Sequence, residues 1–154
     1  MESAEPLILV VEDDANDQAF IQRALKRSGV ANRVARVNDG EEASAYLRGF
    51  GLYEDRKLHP LPRLIITDLK MPRMGGIELL AWMNSRPEFR LIPTIVLTSS
   101  SDQADVTAAF AHGAKGYMIK PVRFSELEKL MHTIAEYWRA SCVPLPSSSP
   151  PGTA

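Results

Sequence analysis

The sequence predicts an α/β protein: a doubly wound, parallel five-stranded sheet of (βα)5 organisation. Three observations carry that expectation. Short aliphatic, β-branched runs alternate five times with stretches of helical apolar periodicity. The runs Leu7-Ile8-Leu9-Val10-Val11, Leu64-Ile65-Ile66 and Thr94-Ile95-Val96-Leu97 are apolar on both faces, as strands buried between two helical layers must be. Strand–helix–strand alternation also calls for right-handed crossovers, which put helices on both sides of one sheet.

The first strand is Leu7–Val11, and Asp14 stands where the next helix, Ala15–Gly29, needs an N-cap. That helix turns Phe20, Ile21, Ala24 and Leu25 to one face and ends on Gly29, which suits a C-terminal cap. Strand two, Arg33–Val37, carries Arg33 and Arg36 and reads as a sheet edge. Asn38-Asp39-Gly40 then turns into helix Glu41–Phe50, and Gly51–Pro62 forms a longer, charged connection with two prolines. Strand three, Leu64–Thr67, leads to helix Gly76–Ser85, whose apolar members are Ile77, Leu80, Ala81 and Met83. Trp82 and Met83 are neighbours on that helix and point apart, so one of them faces outward. Strand four (Thr94–Leu97), helix Gln103–His112, strand five (Tyr117–Ile119) and helix Ser125–Ala140 complete the unit. The last helix strings Leu127, Leu130, Met131, Ile134 and Trp138 at spacings of three and four, a stripe for the sheet.

A chain of 154 residues with 45% hydrophobic and 24% charged content is one ordinary globular domain. We place it at residues 5–140. Residues 141–154 hold four prolines and four serines and predict a flexible tail. A net charge of −1 without a lysine/arginine block excludes the usual attraction to nucleic acid or to an anionic membrane surface. The single Cys142 excludes an intrachain disulfide and a cysteine-rich zinc site. The start Met1-Glu2-Ser3-Ala4-Glu5 fits neither a signal peptide nor a membrane span, so the expected location is cytoplasmic.

Function is legible at the strand ends. Strand three runs directly into Asp68, strand one into Glu12-Asp13-Asp14, strand four into Thr98-Ser99-Ser100 and strand five into Lys120-Pro121. In open α/β sheets the carboxyl edges of the strands are where ligands bind. Glu12, Asp13 and Asp68 would place carboxylates around one point, where like charges are costly unless a cation offsets them. Oxygen ligands completed by water and phosphate suit Mg2+. Lys120 supplies a cation and Thr98 a hydroxyl for phosphoryl oxygens, the donors that phosphoryl transfer requires. His59, His112 and His132 show no metal-ligand spacing, and Met71 and Met74 read as gap fillers.

These residues resemble a known family. Val10-Val11-Glu12-Asp13-Asp14, Asp68-Leu69-Lys70-Met71-Pro72-Arg73-Met74-Gly75-Gly76, Leu97-Thr98-Ser99 and Gly116-Tyr117-Met118-Ile119-Lys120-Pro121 resemble the receiver domain of two-component response regulators, of flavodoxin-like fold. The resemblance implies that Asp68 accepts a phosphoryl group from a histidine kinase and that Asp13 binds Mg2+ directly. Glu12, in place of the commoner aspartate, would act through a metal-bound water, and the Lys70 carbonyl would be a further ligand. It also implies that Thr98 and Tyr117 form the switch, with Tyr117 swinging inward on activation, and that Lys120 holds the phosphate. The length of Gly51–Pro62 and the Tyr137-Trp138 pair further resemble stand-alone regulators that partner phytochrome kinases. No effector segment is expected after helix five.

Three other readings fit less well. A haloacid-dehalogenase-type phosphatase needs an acid two residues after the nucleophile, where Lys70 stands. A flavodoxin-like cofactor binder would meet repulsion of phosphate by Glu12-Asp13-Asp14, and fold alone does not fix function. A phosphorylation-independent scaffold would not need all five site residues. Two further expectations follow from the resemblance and the residues together. The Lys120–Pro121 bond is expected to be cis, to turn sharply into helix five. Tyr137, about 100° round the helix from Trp138, offers apolar surface with Phe124, Val143 and Leu145. That surface predicts a homodimer on helix five, strand five and the start of the tail.

Overall fold

Each predicted aliphatic run becomes a strand and each periodic stretch a helix in the computed structural model, which describes residues 7–29 and 33–141. The strands are β1 (Leu7–Val11), β2 (Arg33–Val37), β3 (Leu64–Thr67), β4 (Thr94–Thr98) and β5 (Gly116–Ile119). The helices are α1 (Ala15–Arg27), α2 (Gly40–Arg48), α3 (Gly76–Asn84), α4 (Gln103–Ala111) and α5 (Phe124–Ser141), with a short 3-10 turn at Gly51–Tyr53. The five strands are all parallel, in the order β2-β1-β3-β4-β5. β2 is an edge, as its arginines imply. The order reverses between β1 and β3, so a crevice opens at the carboxyl ends of those two strands.

Side-chain alternation along each strand splits the core into two layers. Ile8, Val10, Leu64, Ile66, Ile95 and Leu97 meet Ile21, Ala24 and Leu25 of α1 and Leu127, Met131 and Ile134 of α5. Leu7, Leu9, Val11, Val37 and Ile65 face Ala43, Tyr46 and Leu47 of α2 and Leu79 and Met83 of α3. Val96 joins Leu80, Ala109 and Ala114 in a smaller cluster under α4.

Several details depart from the sequence reading. Phe20 lies off the buried face of α1, about 100° round from Ile21; it is 45% exposed and meets Phe124 edge-on at 5.7 Å. Gln18 takes a buried place on α1 instead. Leu79, missed in the sequence, is fully buried, while Ile77 packs only partly. Met83 is the inward member of its pair, and Trp82 stacks on Phe89 at 5.4 Å. The Lys120–Pro121 bond is not cis, since no cis peptide bond occurs among the described residues. The trans form is the ordinary preference, and the sharp turn is unnecessary. β5 brings the Lys120 N–H to the Thr98 carbonyl at 2.8 Å, and the long side chain covers the remaining distance. The Trp138 side chain, Val143 and Leu145 lie outside the described side chains.

Candidate functional site

The backbone ladder sets the site's floor. Val11 and Thr67 are register partners, Asp68 donates its N–H to the Val11 carbonyl at 3.0 Å, and Glu12 donates to Val37 at 3.1 Å. The first residues beyond β1 and β3 are therefore carboxylates held side by side. Carboxylate oxygens of Glu12, Asp13 and Asp68 all lie within 4.8 Å of one another. Glu12 is buried and Asp13 exposed, while Asp68 keeps 9% of its surface.

Glu12 is held from both sides. Its carbonyl accepts a bond from buried Gln18, which Arg36 steadies through Oε1 at 2.6 Å. Its Oε2 accepts the Asp14 N–H at 3.1 Å. Its Oε1 lies 2.8 Å from Lys120 Nζ but out of line with a hydrogen bond, and it is a buried oxygen without an aligned donor. Three carboxylates this close, one of them buried, are what a bound divalent cation would satisfy. Burial pushes the Glu12 carboxyl up to about 7, against the pull of Lys120 and the Asp14 N–H.

Lys120 closes the cluster. Its Nζ lies 2.9 Å from Asp68 Oδ2 and 2.8 Å from Asp17 Oδ2. Burial alone would lower its pKa, but the bonds to Asp17 and Asp68 and the Glu12 carboxylate 2.8 Å away outweigh that and raise it, so it stays charged. Asp68 Oδ1 accepts the Leu69 N–H at 2.6 Å, so the carboxylate is fixed at both oxygens. Asp14 is the N-cap of α1, accepting the Asp17 N–H at 3.0 Å, as its position in the sequence implied.

Asp68, Lys70, Thr98, Ser99 and Ser100 line one pocket of about 350 Å³. Thr98 is buried beside it, its hydroxyl 3.4 Å from the Ser100 N–H. The Tyr117 hydroxyl bonds the Ser100 carbonyl at 2.8 Å, which ties the predicted switch aromatic to the loop that follows Thr98, the last residue of β4. Ser100 in turn bonds Asp105 of α4 at 2.6 Å. The exposed Lys70 Nζ sits 3.7 Å from Oδ2 of the half-buried Asp105, a long pair of little energetic weight.

The loop after Asp68 is braced by small residues and one ion pair. A Cβ on Gly76 would stand 2.2 Å from the Asp68 carbonyl oxygen. We expect Gly76→Ala to destabilise the fold by about 3 kcal/mol, the upper range for forced overpacking; urea unfolding measures it, and a loss under about 0.5 kcal/mol would refute the packing argument. Arg73 adopts a left-handed φ of 67°, costly for a residue with a side chain. It binds Asp39 at 2.6 Å, the buried cap of α2. Met74 accepts the Gly40 N–H at 2.8 Å, so the loop and the start of α2 are latched together.

The geometry brings Glu12, Asp13, Asp68 and Lys120 together, sets Thr98 on the wall of the Asp68 pocket and ties Tyr117 to Ser100. Lys70 is in place at the pocket wall, two residues from Asp68. Sequence reading missed Asp17, Gln18 and Asp105. Asp17 lies in the first turn of α1, where an acid already suits the helix dipole, so nothing in the sequence marked it.

Comparison with known proteins decides the family. The response regulator receiver domain matches residues 8–132. This chain belongs to the receiver family. It is a receiver-domain response regulator, and phosphorylation-based signalling is the standard function of that family. The receiver is 34% identical to FilR2 of Methanothrix harundinacea, a probable methanogenesis regulatory protein, over 90% of this chain and 87% of that one. It is also 34% identical to the response regulator Rcp1 of Synechocystis sp., over 86% of this chain and 88% of the other. The phosphorylated cyanobacterial phytochrome response regulator RcpA superposes with a TM-score of 0.83 at 36% identity, covering 94% of this chain and all of RcpA. The Mn2+-bound form of Rcp1 superposes with a TM-score of 0.78 at 32% identity, over 96% and 99% of the two chains. Receivers bind a divalent metal, and the Glu12, Asp13 and Asp68 set fits one. No described helix is long and apolar enough to cross a membrane.

Proposed function

We propose that this receiver takes a phosphoryl group from a histidine kinase onto Asp68, with Mg2+, in the cytoplasm. The observation that carries this reading is the convergence of Glu12, Asp13 and Asp68 within 4.8 Å, with Lys120 2.9 Å from Asp68. An Asp68 oxygen attacks phosphorus, the P–N bond of a phosphohistidine breaks, and the imidazole leaves with the electron pair. Thr98 and Lys120 take the phosphoryl oxygens. Asp13, Asp68 and the Lys70 carbonyl would hold the ion, with Glu12 helping through a water. Bound Mg2+ supplies charge neutralisation for the carboxylates and the incoming phosphoryl group. Water later hydrolyses the acyl phosphate, so the receiver also catalyses its own dephosphorylation. Intact-mass analysis after acetyl phosphate and Mg2+ treatment tests the reading; no added phosphoryl group overturns it.

Because Glu12 is neutral below about 7, its proton must leave before the carboxylate can serve a cation. Mg2+ affinity therefore falls as pH drops through about 7 and levels off above it. Calorimetric titrations in buffers of different ionisation heat should show proton release at pH 6 and none at pH 8.5. Equal release at both would refute the assignment.

The kinase is of the phytochrome type in this proposal, supported by RcpA being a phytochrome response regulator. The receiver unit is residues 5–140, followed by the 141–154 tail. Phosphorylation switches a protein–protein surface through Thr98 and Tyr117. We place a homodimer contact on α5, β5 and the start of the tail; Ile119 of β5, Tyr137 of α5 and Val122 in the turn between them are exposed. Light scattering at micromolar concentration should give the mass of two chains; a monomer with and without beryllofluoride overturns it. A dimer that survives truncation after Ala140 overturns only the tail's part.

A further inference from the structure

Asp17 touches this site yet belongs neither to the metal cluster nor to the phosphoacceptor chemistry. It is the third residue of α1, where an acid ordinarily reaches back to the N–H of the cap residue. Here the Asp14 N–H is already taken by Glu12 Oε2 at 3.1 Å. Asp17 instead turns across the site and accepts from Lys120 Nζ at 2.8 Å. An ammonium has three hydrogens, and Lys120 has three acidic neighbours within 2.9 Å: Glu12, Asp17 and Asp68. Glu12 and Asp68 are shared with the candidate metal cluster, and Asp17 is not. Its side chain is 40% exposed, so it holds the ammonium from the solvent side.

We propose that Asp17 is a positioning residue that keeps the Lys120 ammonium in place when Glu12 and Asp68 turn to a divalent cation and a phosphoryl group. A lysine with only Glu12 and Asp68 for partners competes with the cation for both, since each favourable contact must be broken before the other forms. With Asp17 as a separate anchor, the ammonium yields those oxygens while remaining at the mouth of the pocket, aimed at an incoming phosphoryl oxygen. Removing Asp17 settles Lys120 onto the shared carboxylates, so cation binding weakens. The phosphoryl part of this inference rests on the reading of Asp68 as phosphoacceptor; the cation part does not.

The test is a thermodynamic cycle on the full chain, with Mg2+ titrated calorimetrically. Asp17→Asn should weaken Mg2+ binding about five- to tenfold, within the usual range for coupled neighbours. Asp14→Asn removes a charge from the same helix start and keeps the cap, and should change it less than about twofold. In a Lys120→Met background, Asp17→Asn should also change it less than about twofold, because the residue acts through the lysine. Equal effects of Asp17→Asn and Asp14→Asn, or an effect that persists without Lys120, overturn the proposal. A second readout covers failure of the lysine variant to fold. In metal-free wild type the Lys120 ammonium should give a resolved proton–nitrogen NMR signal, shifted in Asp17→Asn as the ammonium settles onto Glu12 and Asp68, and returned in Asp17→Glu. An unchanged signal in Asp17→Asn overturns the proposal. Absence of any Mg2+ binding by the wild type sinks the functional reading, and the NMR signal still decides the role of Asp17.

Discussion

Asp68→Asn abolishes phosphoryl uptake. Asparagine matches the shape of Asp68 and can keep the Leu69 N–H bond through its carbonyl oxygen, now made at 2.6 Å. It lacks the anionic oxygen that must attack phosphorus, and loss of a nucleophile is felt on the order of 10³-fold or more. It also removes one of the three carboxylates gathered within 4.8 Å, so Mg2+ affinity should fall at least about tenfold, as metal ligand sets respond to lost partners. The measurement is intact mass after acetyl phosphate and Mg2+: one phosphoryl group on wild type, none on the variant. Circular dichroism confirms that the variant keeps its fold. Equal labelling of both proteins would show that Asp68 is not the acceptor. Labelling of neither would remove the phosphorylation reading altogether.

Most of this architecture was legible because parallel strands leave an unambiguous trace. A strand buried on both sides must be apolar throughout, so an aspartate, glutamate or lysine at its end stands out from the run before it. Asp68, Glu12 and Thr98 were visible for that reason, and Lys120 because it directly follows the last strand, β5, next to a proline. What hid was whatever depended on the direction of a side chain on a helix. Phe20 looked like core because it is large and apolar, yet it faces outward while the amide of Gln18 is buried, bonding the Glu12 carbonyl. Asp17 hid more fully. An acid in the first turn of a helix already has a reason to be there, the helix dipole, and only the third dimension shows Lys120 arriving from 103 residues away. The cis bond failed for a related reason: a demand was placed on the backbone that the reach of the lysine side chain already met.

Replacing Lys120 by methionine should have the largest effect on stability, and its sign with pH is fixed by Glu12. Methionine keeps the length and apolar stem but removes the charge lying 2.8 Å from Glu12, 2.8 Å from Asp17 and 2.9 Å from Asp68. Asp17 is open to water and adds little to the loss. Glu12 and Asp68 are enclosed, and breaking a buried pair by removing one partner costs about 3 kcal/mol or more. For a domain of this size that is roughly 10 °C in Tm. Glu12 has its folded pKa raised to about 7 from an unfolded value near 4.5, so below about 7 it is neutral in the fold and does not miss its partner. The loss is therefore greatest above pH 7 and shrinks as the solution is acidified. Losing the lysine also frees the carboxylates for a cation, so Mg2+ should restore more stability to Lys120→Met than it adds to wild type. Phosphoryl transfer from acetyl phosphate should slow by about 10²-fold, the scale for removing a charge aimed at a transition state. Thermal unfolding at pH 6 and pH 8.5, each with and without Mg2+, tests the stability claims. A variant within about 2 °C of wild type at pH 8.5 without metal would show that the three contacts to Lys120 do not hold this site together.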